Sequence, residues 1–204
     1  MEIKIKDLNE LSTYAYQSLC EAVKIDDDTV RCVACIAALT GEEPQAVWQL
    51  KVREIGELAN AMRKIIAKPI DFDGIKPRKM QELDLNGVRY RLICDSVADM
   101  PMCAYVDFQN YIKDGMSIDC LPQVISCFYV PEGKEYGEGY DIEDTIDAIG
   151  NFLTIKDAYS TGFFLFGKLL QYRKAMQLYL RWQARIAEKQ LKRKQKTTPI
   201  NGRQ

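Results

Sequence analysis

The stretch TIKDAYSTGFFLFGKLLQYRKAMQLYLRWQARIAEKQLKRKQK, residues 154–196, decides the fold. Phe163, Phe166, Leu169, Leu170, Met176, Tyr179, Leu180 and Ile186 give it an apolar stripe at helical spacing, and no proline interrupts it. A helix over nearly the whole stretch follows. Gly162 and Gly167 are its weak points, because glycine costs about 1 kcal/mol relative to alanine inside a helix. Past Ala187 the stripe fades while lysines and arginines accumulate, so this end is expected to fray or to be disordered unless bound.

Charge is distributed unevenly around that helix. From Lys168 to the end the chain has eleven basic residues against one acid, Glu188, a net of +10. Of the 28 Lys and Arg and 29 Asp and Glu in the whole chain, 17 and 28 therefore lie before Lys168, a net of -11. The overall charge of -1 is a cancellation. Such a split calls for an anionic partner for the arm, or for the acidic face of another copy. Within the arm, Arg173, Lys174, Arg181, Trp182, Arg185, Lys189, Lys192, Arg193 and Lys194 are the candidate interaction residues. On a helix Arg181 and Arg185 share a face, and Lys174 or Lys189 can join them. Tyr172, Tyr179 and Trp182 can stack on bases or pack against protein with equal ease. A solvated helix, an acidic protein partner and nucleic acid are the three readings of this arm.

Upstream, the periods change several times. Ile3 and Ile5 alternate with lysines as in a short strand. Residues 12–23 then place Tyr16, Leu19, Cys20 and Val23 on one helical face. A second helix is expected to start at Asp28 or Thr29 and to end at Gly41, antiparallel to the first. After a turn over 42–48, Val52, Ile55, Leu58, Met62, Ile65 and Ile66 mark a longer amphipathic helix. Two prolines, a glycine and two aspartates make 68–78 the best internal boundary. MQELDL and VRYRLI flank Asn86-Gly87, a pair suited to a type I′ turn, so a β-hairpin is expected at about 80–93. Pro101 and Pro122 open two further helices, reaching Tyr111 or Lys113 and about Val130. PEGKEYGEGYD, 131–141, reads as an exposed acidic loop, and Asp141 begins a short helix with acids in its first turn. The expected fold is thus mainly α, a helical domain with one small β-hairpin and a long C-terminal helix. Its parts are an N-terminal helical segment over 1–68, a hairpin with helices over 79–167 that can join it in one domain, and a basic helix and tail over 168–204.

Composition excludes several chemistries. At 204 residues the chain can bury on the order of 70% of its unfolded surface without metals or disulfides. With no histidine, Ser-His-Asp and Cys-His catalysis and imidazole zinc ligands are excluded. Cys32 and Cys35 form a lone CxxC inside an apolar helical run, which suits core packing better than metal or redox work. The odd count of seven cysteines argues for reduced thiols. The acids at Asp26 to Asp28, at Asp71 and Asp73 and at 138–147 lack the spacing of a calcium loop. No glycine-rich phosphate cradle is present. No amino-terminal apolar region of a secretory signal is visible, and 163–170 is too short to span a bilayer. No enzyme activity, cofactor, metal or membrane association is expected.

WQLKVREIGELANAM at 48–62, YVDFQNYIKD at 105–114 and VPEGKEYGEGYDIEDTIDAI at 130–149 together carry a resemblance. Their layout resembles that of small helical virion and tail-assembly proteins of tailed bacteriophages, which are labelled tail-assembly-chaperone-like or virion-associated. The similarity covers about residues 8–170, as a match of pattern rather than of catalytic signature. It implies a non-enzymatic assembly or structural role in the host cytoplasm or retained in the virion. The implied partners are other phage structural proteins, with self-association as a further possibility. The alternative is a nucleic-acid-binding accessory protein that uses the basic arm.

Overall fold

The computed structural model describes the backbone of residues 1–197 and the side chains of residues 1–186. It is mainly helical, with a small antiparallel sheet and a long C-terminal helix. Residues 1–166 form one compact unit, and the described residues from Gly167 onward form a second. The loop at 68–78 lies inside the first unit.

Helix boundaries follow local chemistry closely. Helix α1, Thr13–Ala22, starts where the Ser12 hydroxyl accepts from the Ala15 amide. Helix α2, Asp28–Thr40, starts where Asp27 Oδ1 accepts from the Thr29 and Val30 amides at 2.9 Å each, and stops at Gly41 with φ 73°. The turn expected at 42–48 contains one short helix, α3, Pro44–Trp48, opened by its proline. In α4, Val52–Ile66, Glu54 reaches back to accept from the Lys51 amide at 2.9 Å. Val33, Ile36, Ala37, Val47 and Leu58 of these helices pack into one core, joined by Cys32, Ile55 and Met62. Ile3 packs against that same core, and the first five residues adopt no strand.

The hairpin forms as its turn residues dictate. Strands β1, Glu82–Leu85, and β2, Val88–Leu92, pair antiparallel with Leu85 opposite Val88, while Asn86 and Gly87 take φ of 51° and 77°. A third strand, β3, Tyr129–Pro131, completes the order β1-β2-β3 with Leu92 opposite Tyr129. This corrects the expectation of a helix running to Val130. Helix α6, Leu121–Ser126, ends first because Cys127 to Val130 are all buried, and a run of aromatic and β-branched side chains buried in succession suits a strand covered on both faces. Phe128 meets Phe108 of α5, Met102–Tyr111, edge to face at 5.1 Å. The acidic loop then leads to α7, Ile142–Phe152, whose Asp141 carboxylate accepts from the Glu143 amide at 3.0 Å.

Helix α8, Ile155–Thr197, is continuous. Its end at Thr197 is close to the end near Lys196 expected from sequence, and residues 198–204 lie outside the described residues. Its start is tied to the front of the chain: the Thr13 amide donates to the Leu153 carbonyl at 3.0 Å, and the Ile155 amide to the Leu11 carbonyl at 2.8 Å. Gly162, read from sequence as a weak point, is instead a contact. A Cβ there would collide with Cδ2 of the fully buried Leu121 and come within 3.0 Å of Met116 Cε, whereas one at Gly167 would meet nothing. Gly162→Ala is therefore expected to lower stability by about 1–3 kcal/mol despite its better helix propensity. Gly167→Ala should raise stability by about 0.5–1 kcal/mol. Urea unfolding of the two variants checks this, and a gain at both positions would contradict the packing at Gly162.

Candidate functional site

Beyond the first unit, α8 carries residues that a soluble helix normally covers. Leu178, Leu180 and Trp182 are 65%, 59% and 56% exposed, and Leu170, Met176 and Tyr179 are exposed as well. Some of them are in contact with one another along the helix. The Tyr179 and Trp182 rings lie 6.1 Å apart, and Gln183 Nε2 donates to the Tyr179 hydroxyl at 2.7 Å. At 100° per residue, Tyr172, Met176, Tyr179, Trp182 and Ile186 fall on one side of the helix, and Lys174, Arg181 and Arg185 on another.

All of the predicted arm residues lie on this one helix. Arg173, Lys174, Arg181, Trp182 and Arg185 are exposed. The side chains of Lys189, Lys192, Arg193 and Lys194 lie outside the described residues. Lys174, Arg181 and Arg185 have no ion-pair partner among the described residues. The front of the expected stripe has another use, since Phe163 stacks on Tyr159 with ring centroids 4.2 Å apart. Leu178 was absent from that stripe. Its exposure could not be read from periodicity, because it lies off the main apolar side.

Of the thiols, those of Cys35 and Cys127 are buried, and that of Cys103 is exposed. All seven cysteines are free. Cys35 of α2 is buried, and burial, then the neighbouring Cys32, push its thiol up. Cys127 Sγ is buried, contacts the Gln123 carbonyl at 3.3 Å, and lies 3.9 Å from the Tyr136 hydroxyl, which donates to Asp107 Oδ2 at 2.9 Å. This cluster anchors the acidic loop to α5 and α6. Burial pushes the Cys127 thiol from 9.0 up to about 12, and the Asp107 carboxylate adds to the rise. A thiol held protonated in this way is no nucleophile at neutral pH. Among the described residues no group of His, Cys, Asp or Glu side chains is placed to hold a metal ion, and no helix is long and apolar enough to cross a membrane.

The raised thiol has a consequence for stability. Folded protein keeps this proton while the unfolded chain releases it above pH 9.0, so the contribution is complete below that pH and lost as pH rises toward about 12. The loss runs at about 1.4 kcal/mol per pH unit for one such group. Between about pH 9 and about pH 10.5, wild type should lose about 2 kcal/mol more than Cys127→Ala in urea titrations. Equal slopes for the two proteins would show that Cys127 does not hold its proton as described.

No protein-family model, curated protein or solved structure matches the chain.

Proposed function

We propose that this protein is a non-enzymatic assembly or virion structural protein of a tailed bacteriophage, acting through protein–protein contacts made by the 170–186 stretch of α8. The observation that carries this reading is the exposure of Leu170, Met176, Leu178, Tyr179, Leu180 and Trp182 on a helix that also presents Lys174, Arg181 and Arg185. Large apolar side chains left in water over four turns are the usual mark of a surface that another protein covers. The arginines and lysines choose among partners: an acidic protein surface steers encounter and fixes orientation, and a basic one is rejected. Phage structural proteins as the partners rest on the pattern resemblance in 48–62, 105–114 and 130–149.

The test is association as a function of salt. Purified full-length protein is examined by light scattering for self-association and against purified tail and capsid proteins by biolayer interferometry. The expected result is a complex that weakens as sodium chloride rises. A protein that stays monomeric at high concentration and captures no structural protein sinks the proposal. If the helix instead binds duplex DNA with a log–log salt slope near -0.9 per phosphate contact, the nucleic-acid reading replaces it.

A further inference from the structure

An open cleft of about 370 Å³ lies between the 71–78 loop and the start of α8, inside the 1–166 unit. Asn9, Asp71, Lys76, Arg78, Lys156 and Ser160 face it. The loop wall is fixed from both ends. Asp71 Oδ1 accepts from the Gly74 amide at 3.1 Å, and the Phe72 ring packs on Tyr16 and Tyr159 at 5.9 and 4.7 Å. On either side of Pro77, Ser160 Oγ donates to the Lys76 carbonyl at 2.7 Å and the Arg78 amide donates to the Ser160 carbonyl at 3.1 Å. Lys76 and Arg78 are therefore displayed from a preset backbone, beside Lys156 of the first α8 turn.

These three cations are exposed and have no ion-pair partner among the described residues. The two acids in the same cleft keep their charge but each accepts a local hydrogen bond, Asp71 from the Gly74 amide and Asp157 Oδ2 from the Thr154 hydroxyl at 3.1 Å, rather than pairing with a cation. Lys156 also sits at the end of the helix where the macrodipole disfavours a cation. Three cations and two carboxylates line the cleft, a net formal charge of +1, and none of the cations is tied up in an ion pair among the described residues, which favours anions from solution.

We propose that this cleft binds phosphate groups, independently of the reading of α8. Arg78 offers a planar fork of N–H donors, and Lys76 and Lys156 act as point charges, a combination suited to tetrahedral oxyanions. No aromatic side chain lines the cleft, so the phosphate itself is the recognised part. It can come from a free polyphosphate-bearing small molecule or from a nucleic-acid backbone.

The experiment titrates the full-length protein with pyrophosphate, and separately with a short oligothymidylate, by calorimetry at constant ionic strength. Lys76→Ala, Arg78→Ala, Lys156→Ala and the triple variant are compared. These side chains are exposed, so the variants are expected to fold, and thermal unfolding verifies it. Each single change should weaken pyrophosphate or oligothymidylate binding about tenfold. Loss of pyrophosphate binding points to a small-molecule source, and loss of oligothymidylate binding alone points to a nucleic-acid backbone. Binding that survives the triple variant, or no heat beyond that of matched sodium chloride with either probe, overturns the proposal. Should Lys156→Ala fold poorly, Lys156→Gln keeps the comparison intact.

Discussion

Replacing Tyr129 by alanine is expected to lower the unfolding free energy by about 3–5 kcal/mol, the range for removing a large ring from a packed core. Tyr129 is fully buried, and its hydroxyl donates to the Met80 carbonyl at 2.6 Å just before β1. Its backbone belongs to β3 opposite Leu92 of β2. The ring thus joins the two ends of the sheet: it lies on the third strand and hydrogen-bonds the entry to the first. Tyr129→Phe separates the two contributions, because it keeps the ring and removes only the donor to Met80. Leaving that carbonyl without this donor should cost about 1–3 kcal/mol. Urea denaturation of the three proteins, with an unchanged m-value, measures both terms. If Tyr129→Phe costs as much as Tyr129→Ala, the hydrogen bond and not the packing holds the strand.

β3 also shows where sequence reading stops. Asn86-Gly87, Asp27 and Gly41 declare their structures locally, since positive φ and amide capping depend on one or two residues. α4 and α8 declare theirs through a long period. The run from Cys127 to Val130 has neither signal. Four consecutive buried apolar residues fit a helix end or a strand buried on both faces, and only the open edge of β2 decides between them. Ile3 and Ile5 failed in the opposite way, because alternation predicts a strand only where a neighbouring strand is available to pair. Gly162 was read from propensity alone, while its cause is the position of Leu121, 41 residues away in the chain.

The charge split of the arm was fully legible, because counting requires no coordinates. The cleft with Lys76, Arg78 and Lys156 was not. Its two walls are about 80 residues apart in sequence, joined by the hydrogen bonds between Ser160 and the loop on either side of Pro77. The 68–78 segment looked like a boundary for the same residues that fix it in place: its aspartate and glycine form a local turn, and Phe72 inserts between Tyr16 and Tyr159.

Partner binding through α8 should depend on a few side chains. Trp182→Ala is expected to weaken association by about 30-fold, since buried tryptophan contacts in interfaces are worth on the order of 2 kcal/mol or more. Adding Leu178→Ser and Leu180→Ser should abolish measurable binding, because each removes apolar area that the partner would cover. These residues are 56%, 65% and 59% exposed in the isolated chain, so the same changes should leave its own stability within about 0.5 kcal/mol. Arg181→Glu with Arg185→Glu tests the other half of the surface. Here the association rate should fall and its salt dependence flatten or reverse, while the dissociation rate changes less. The two sets are distinguishable in one interferometry experiment: apolar changes shorten the lifetime of the complex, and charge changes alter how often it forms. Binding that ignores the apolar changes but vanishes with the arginines would mark a polyanion as the partner, because phosphate contacts need no covered apolar face.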